Sequence, residues 1–438
     1  MPESKLSQSY APTGLTVAVI GTGYVGLTTG ACFAKLGHSV ICADIIPAKV
    51  ESLKRGEIPI LEDDLEGLVR EGLDNGRLSF VLGAAEAAKT CDFAFMCLPT
   101  PQDADGSADL SYLLTAASQI ALVLPAGAIV VNKSTVPVGS AQRVKLALQR
   151  DDVQVASNPE FLREGTAVYD FFHPDRIVLG GSTPEITARL ADLYKSIDAP
   201  ILCESTATAE LIKYASNSFL AAKISFANSI SNLCEAVGAD AYEVLRGMGY
   251  DERIGKKFLN PGPGWGGSCF PKDVYALIKT AEDAGYEFNL LKAVIDANDV
   301  QTDLMINKVS NLLDGKIAGS TIAAWGLAFK AGTDDTRQSP AIRIIDRLVG
   351  LGATVRAYDP GTSRPLDGVV VCPDALSACD NADILVVLTE WPEFANLPLR
   401  DVASRLAYKR LLDTRNIISI DELEKHGFKY SSVGHAKN

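Results

Sequence analysis

Cys269 closes a run, Asn260-Pro-Gly-Pro-Gly-Trp-Gly-Gly-Ser268, and is followed by Phe-Pro-Lys-Asp273; of these fourteen residues, six are Gly or Pro ahead of the cysteine. Such a run suits neither a helix interior nor a ladder strand, because glycine is entropically costly there and proline lacks an N–H. It lets the backbone come close to a ligand and places Cys269 at the mouth of a helix expected to start near Lys272. A thiol at a helix N-terminus with a lysine nearby has a mechanism for nucleophilicity. The alternative is a Gly-rich surface turn that happens to hold a cysteine. A nucleophilic thiol is useful where an aldehyde is oxidised: a thiohemiacetal loses hydride to give a thioester, and water releases the carboxylate. The four histidines, His38, His173, His426 and His435, lie outside these segments, so the bases must be carboxylates or lysine. Asp273 and Glu160 are the candidate water activators. Lys213 with Asn217, four residues apart on one predicted helix face, could steady an oxyanion.

Hydride chemistry needs a nicotinamide site, and the first third supplies its grammar. Leu15–Ile20 is a short apolar strand, followed by Gly21-Thr-Gly23-Tyr24-Val25-Gly26 and a helical run to Leu36. A second buried strand then ends in Asp44. This strand–GxGxxG–helix–strand–acid order is that of a dinucleotide site. The glycines allow a tight turn and close pyrophosphate approach, and the helix start favours phosphate charge. Asp44 would accept from a ribose 2′-hydroxyl and repel a 2′-phosphate, so NAD is expected over NADP, an inference that the nearby Lys49 slightly weakens.

The alternation of strand and helix continues, which implies a doubly wound parallel sheet with ligands beyond the carboxyl ends of its strands. Thr100, Thr135 and Glu160 all fall there. The two threonines could equally be caps or turn residues; Glu160 follows a proline in an otherwise apolar segment and is favoured as catalytic. From Thr206 to Val237 no proline or glycine interrupts a helical pattern, and a second long helix is expected from Leu290 to about Leu313. Lys213 and Asn217 sit among apolar neighbours in the first of these, where a polar pair needs a reason. The last third repeats the strand grammar without GxGxxG. Lys330, Arg337 and, further on, Arg415 point to an anionic ligand held by side chains, such as a nucleoside diphosphate; the alternative is a solvated basic loop.

The expected fold is therefore α/β: two doubly wound Rossmann-like domains joined by a long-helix central region. The expected segments are a loose arm (1–14), a dinucleotide domain (15–204), a central helical region carrying the cysteine loop (205–315) and a second Rossmann-like domain (316–438). A length of 438 residues suits two or three domains. The net charge of −13 argues against a nucleic-acid surface. Nine scattered cysteines without a CxxC pair favour thiols in a reducing cytoplasm over disulfides or a metal site, and no metal is expected. No span or secretory signal stands out, so a cytoplasmic protein with no membrane partner is expected.

Four segments in this order, Lys133-Ser-Thr-Val-Pro137, Asn158-Pro-Glu-Phe-Leu-Arg-Glu-Gly165, Gly264-Trp-Gly-Gly-Ser-Cys-Phe-Pro-Lys-Asp273 and Phe329-Lys-Ala-Gly-Thr-Asp-Asp-Thr-Arg337, resemble the UDP-glucose/GDP-mannose dehydrogenase family over about residues 15 to 430. The resemblance implies a four-electron oxidation of a sugar C6 alcohol by two NAD+. Ser268 to Asp273 and Glu252 to Leu259 point to the branch that takes UDP-glucose, with GDP-mannose as the alternative. By this resemblance Cys269 is the nucleophile, Lys213 and Asn217 stabilise oxyanions, Asp273 assists thiol and water, and Thr135 and Glu160 place or activate the water. Thr100, Thr135, Glu164 and Arg337 match cofactor contacts. The sugar nucleotide would lie along Glu160, Phe161, Leu162 and Glu164, Lys213 and Asn217, and Asn260, Gly264, Trp265 and Gly266, with Phe329, Lys330 and Arg415. Arg253 resembles a residue donated across a dimer interface, so a homodimer or higher homo-oligomer is expected. Thr414 stands where the family commonly has glycine, so its extra Cβ could displace Arg415. A non-catalytic protein that binds NAD or a sugar nucleotide, with an inert cysteine, is the rival of another class. A two-electron 3-hydroxyacid-type dehydrogenase is conceivable from the first domain alone.

Overall fold

The structure is a computed structural model that describes residue 8 and residues 10–435. Of the expected arm, residues 1–7 and 9 lie outside the described residues. Thr13 donates its N–H to the Gly37 carbonyl at 3.0 Å. The chain forms two compact units, Met1–Ser216 with Tyr275–Gly285, and Asn217–Val274 with Tyr286–Asn438.

The first unit is built on an eight-stranded sheet. Its strands are β1 (Thr16–Ile20), β2 (Ser39–Asp44), β3 (Leu78–Leu82), β4 (Phe93–Met96), β5 (Ile129–Asn132), β6 (Gln154–Ser157), β7 (Ile177–Gly180) and β8 (Ile201–Glu204), in the order β3-β2-β1-β4-β5-β6-β7-β8. The first six are parallel in doubly wound order; β7 meets β6 antiparallel, and β8 runs parallel to β7. Strands β4 and β5 are buried along their whole length, as expected where helices cover both faces of a parallel sheet. Successive residues feed opposite cores: Phe93 and Phe95 pack with Phe33 and Phe171, whereas Ala94 and Met96 pack with Leu113 and Ile120.

The second unit holds a six-stranded all-parallel sheet of β9 (Thr321–Trp325), β10 (Thr354–Tyr358), β11 (Val369–Val371), β12 (Ile384–Val387), β13 (Arg410–Asp413) and β14 (Lys429–Ser432). Its order is β11-β10-β9-β12-β13-β14, the doubly wound order again. Two long helices, Thr206–Val237 and Asn289–Leu312, complete the framework. Among the described residues no helix is long and apolar enough to cross a membrane, and no group of three or more His, Cys, Asp or Glu is placed to hold a metal ion.

Candidate active site

In the first unit, the turn after β1 is made by Gly21 at φ +98°, where a Cβ would stand 2.4 Å from the Cys97 carbonyl oxygen. A Cβ on Gly26 would sit 1.9 Å from the Gly21 carbonyl oxygen, so only glycine lets the helix Tyr24–Lys35 start this close to the strand. Gly23 brings no capping side chain, and a Cβ there would meet nothing within 4 Å, so the loop has an open face at the positive end of the helix dipole. Val25 follows in the helix's first turn, and Tyr24 donates from its hydroxyl to the Leu162 carbonyl at 2.8 Å.

At the end of β2, Asp44 accepts from the Thr22 hydroxyl at 2.5 Å and from Lys49 Nζ at 3.0 Å, and its other oxygen accepts from the Ile45 and Ile46 N–H groups. Burial pushes this carboxyl up, but the hydroxyl, the lysine and the backbone donors outweigh burial and hold it below the usual carboxylate range. A glycine turn with an open face and an ionised acid at the next strand end fit a dinucleotide. NAD would be held by Gly21 to Gly26 at its pyrophosphate and by Asp44, with Lys49, at a ribose.

Farther along the same sheet edge, Thr100 donates its hydroxyl to the Thr135 carbonyl at 2.9 Å, which ties the loops after β4 and β5 together. Glu160 lies beyond β6 and is 4% exposed; it pairs with Lys213 Nζ at 2.9 Å and accepts from the Leu162 N–H at 2.6 Å. Burial drives the Glu160 carboxyl upward, yet Lys213, the Leu162 N–H and Lys133 together bring it below its ordinary range. Phe161 lies under two cations, with Arg176 3.5 Å and Lys213 5.3 Å from its ring centre. Glu164 sits in the same loop, anchored on either side. Arg163 donates its N–H to Asp170 at 2.9 Å, and Gly165 donates its N–H to Glu62 at 2.8 Å.

In the second unit, Cys269 is half-buried immediately before the helix Phe270–Asp283, and its carbonyl accepts from the Asp273 N–H at 3.1 Å. Asp273 is fully buried and accepts from Asn217 Nδ2 and Lys272 Nζ, both at 2.6 Å. The glycine-rich loop is held by polar side chains of the two long helices. Asn228 accepts from the Gly262 N–H, Gln301 donates to the Gly262 carbonyl, and Asn298 bonds both backbone groups of Trp265. The Trp265 indole donates to Ser225 at 2.9 Å. Gly264 lies beside Asn298, and Asn260 is exposed at the head of the loop. Gly266 is required because a Cβ would stand 2.0 Å from the Gln338 carbonyl oxygen. Gly267, at φ +85°, lies against the Phe329 ring.

Lys330 lies 5.7 Å from the Phe329 ring centre. Arg337 pairs with Asp335 through both arms at 2.8 Å, and Asp335 also accepts from Ser268, next to the cysteine. Arg415 donates to the Leu388 and Phe329 carbonyls at 3.0 and 3.1 Å. The neighbouring Thr414 is fully buried and its hydroxyl donates to the Val387 carbonyl at 2.7 Å, so its Cβ is absorbed by the sheet. Arg253 stands apart: its side chain is 89% exposed and pairs with Asp251.

The first unit thus gathers Gly21 to Gly26, Asp44, Lys49, Thr100, Thr135, Glu160 to Glu164 and Lys213. The second gathers Asn217, Cys269, Asp273, the loop from Asn260 to Gly266, and Phe329, Lys330, Arg337 and Arg415. Sequence reasoning missed the polar props of the long helices, Ser225, Asn228, Asn298 and Gln301. It also missed Glu210, which accepts from the Gly139 and Ala141 N–H groups and the Ser157 hydroxyl. The signal was present, since polar residues recur on otherwise apolar helix faces, but their partners are distant in sequence.

A glycine turn at the start of one doubly wound sheet, a second doubly wound sheet without that turn, and a cysteine heading a helix define an NAD-dependent oxidoreductase of two Rossmann-like domains. The chain belongs to the UDP-glucose/GDP-mannose dehydrogenase family: residues 15–198 match its NAD binding domain, 207–300 its central domain and 323–420 its UDP binding domain. It is 44% identical over 434 residues to UDP-glucose 6-dehydrogenase of Rhizobium meliloti (strain 1021), covering 96% of this chain and 99% of that one. UDP-glucose 6-dehydrogenase TuaD of Bacillus subtilis (strain 168) is 42% identical over 428 residues, 95% of this chain and 93% of the relative. A solved UDP-glucose dehydrogenase from Pyrobaculum islandicum superposes with a TM-score of 0.89 at 37% identity, covering 98% of this chain and 100% of that one.

Proposed function

We propose that the protein oxidises the C6 alcohol of UDP-glucose to the carboxylate: UDP-glucose, two NAD+ and water give UDP-glucuronate, two NADH and three protons. The observation that carries this reading is Cys269 at the head of a helix whose buried Asp273 is fixed by Asn217 and Lys272. NAD, when bound, accepts the hydride lost from C6 at each of the two oxidations. The Cys269 sulfur adds to the C6 aldehyde, forming a C–S bond. Lys213 and Asn217 donate to the resulting oxyanion, and the thiohemiacetal becomes a thioester as it loses its hydride. Glu160, ionised beside Lys213, takes a proton from the water that cleaves the C–S bond, with Thr135 placing that water and the thiol re-formed on Cys269. Asp273 assists the thiol and the water. Thr100, Glu164 and Arg337 contribute cofactor contacts. Phe329, Lys330 and Arg415, with the loops from Glu160 to Glu164 and from Asn260 to Gly266, hold the sugar nucleotide.

NADH counted against a panel of UDP- and GDP-sugars tests this reading. Two NADH per UDP-glucose are expected, with kcat/KM for UDP-glucose well above that for GDP-mannose. Cys269→Ser should lose steady-state turnover by about a thousandfold or more, within the range that loss of a catalytic nucleophile produces. One NADH per sugar with release of free aldehyde would refute the thioester route.

A homodimer or higher homo-oligomer in the cytoplasm completes the proposal. Phe219, Phe226 and Leu233 recur every seven residues along the helix Thr206–Val237 and are 67, 50 and 56% exposed. An apolar stripe of this kind suits a second copy of the chain better than water, and Arg253 is available for donation to that copy. Light scattering on the purified protein that returned the mass of a single chain would sink this part.

A further inference from the structure

One charged side chain beside Glu160 has no place in that scheme. Lys133 follows β5 directly and is 5% exposed. Its Nζ donates to Asn158 Oδ1 at 3.0 Å, and the Tyr194 hydroxyl donates to the same oxygen at 2.5 Å. The Asn158 amide nitrogen donates to the Val178 carbonyl at 2.9 Å, so the whole side chain is fixed. Asn158 is followed by Pro159 and Glu160, and the anchor therefore sets where the Glu160 carboxylate emerges.

Neutral donors could hold Asn158 equally well. A buried ammonium costs free energy unless a negative charge offsets it. The charged and titratable groups that face Lys133 come from three elements: Cys97 after β4, Glu160 after β6 and Lys213 on the long helix. Tyr194 reaches it through Asn158. Burial pushes the Cys97 thiol up to about 12 and the Tyr194 phenol up as well, so both are neutral near pH 7. Burial lowers the Lys133 amine to about 8, which leaves it mostly charged there. Among the described residues, Glu160 is the carboxylate that faces both Lys133 and Lys213.

We propose that Lys133 is a positioning residue for the oxidation: it anchors the Asn158–Glu160 turn and places a second positive charge beside the Glu160 carboxylate. This rests on the reading of Glu160 as water activator and Lys213 as oxyanion donor.

The test is the pH dependence of kcat for NADH formation, at saturating UDP-glucose and NAD, in Lys133→Gln and Lys133→Met. Glutamine keeps a donor for Asn158 and removes the charge; methionine removes both. Without the charge, Glu160 is harder to ionise. The acid limb of the profile should move to higher pH by about one unit. Lys133→Arg, which retains the charge, should hold that limb at its original position. A lower kcat with the acid limb unmoved would reduce Lys133 to a structural anchor and overturn the proposal. Glu160→Gln separates the two ideas. If this variant keeps the acid limb of the unaltered protein, the reading of Glu160 as water activator has failed and the proposal falls with it. If it loses that limb while Lys133→Gln and Lys133→Met do not shift it, only the proposal falls.

Discussion

The two doubly wound sheets begin alike and diverge within a few residues. Each first strand runs into a glycine near φ +100°, Gly21 at +98° and Gly326 at +105°, whose N–H bonds back to the end of the next strand over, at Ala43 and Tyr358 respectively. An acid stands at the end of each neighbouring strand: Asp44 closes β2, and Asp359 directly follows β10. In the first sheet the helix follows at once and the loop has an open face. In the second, the Leu327 and Ala328 N–H groups both donate to Asp359, and a Cβ on Gly326 would stand 2.0 Å from the Thr389 hydroxyl. Its helix starts only at Pro340, capped by the Ser339 hydroxyl. The Thr22 N–H also donates to Asp44, at 3.3 Å, but the second half commits two successive N–H groups, those of Leu327 and Ala328, to its acid. An anion in the second half must be met by side chains, and its longer loop carries Lys330 and Arg337. A shared strand order therefore does not imply a shared ligand; the first few backbone N–H groups decide.

That contrast can be broken most severely at Gly26. Gly26→Ala forces a Cβ into the Gly21 carbonyl, so NAD binding measured by calorimetry should weaken by a hundredfold or more while UDP binding changes less than about twofold. Equal loss of both ligands would mean that the halves are not separate binding devices. Lys330→Met probes the other half. Removing one charge-assisted bond of about 1.5–3 kcal/mol should raise KM for UDP-glucose by roughly ten- to a hundredfold, with KM for NAD unchanged. An effect on NAD alone would reverse the assignment of the loop.

The smallest effect concerns Asp44 and pH. Its folded carboxyl lies below the ordinary range, so the stability it contributes is present above about 3.9, its unfolded value, and is lost as the pH falls through the folded value. NAD affinity should accordingly stay flat from pH 7 to 5. Asp44→Asn should weaken NAD about tenfold and narrow the preference over NADP. A steep loss of NAD affinity already at pH 6, absent in Asp44→Asn, would show that the carboxylate is not held ionised.

Much of this comparison was legible in the chain itself. The Gly21–Gly26 turn and Asp44 could be read because a dinucleotide loop is a local object, made by residues within one strand, turn and helix. Lys330 and Arg337 stood out because a second run of strand grammar lacked that loop. The partner of Thr414 was not legible for a physical reason: the buried Val387 carbonyl that engages its hydroxyl lies on a different strand.

The order of strands, the glycine turn, the cysteine loop and the charges around them follow from residue type and spacing, since periodicity and backbone freedom act over a few residues. Which buried groups share a hydrogen bond is another matter. That Lys133 ends on Asn158, that Lys213 ends on Glu160 and that Asn298 holds Trp265 was decided only by folding. Such contacts join residues dozens of positions apart, and the low-dielectric interior makes each an all-or-none choice between a satisfied and an orphaned polar group.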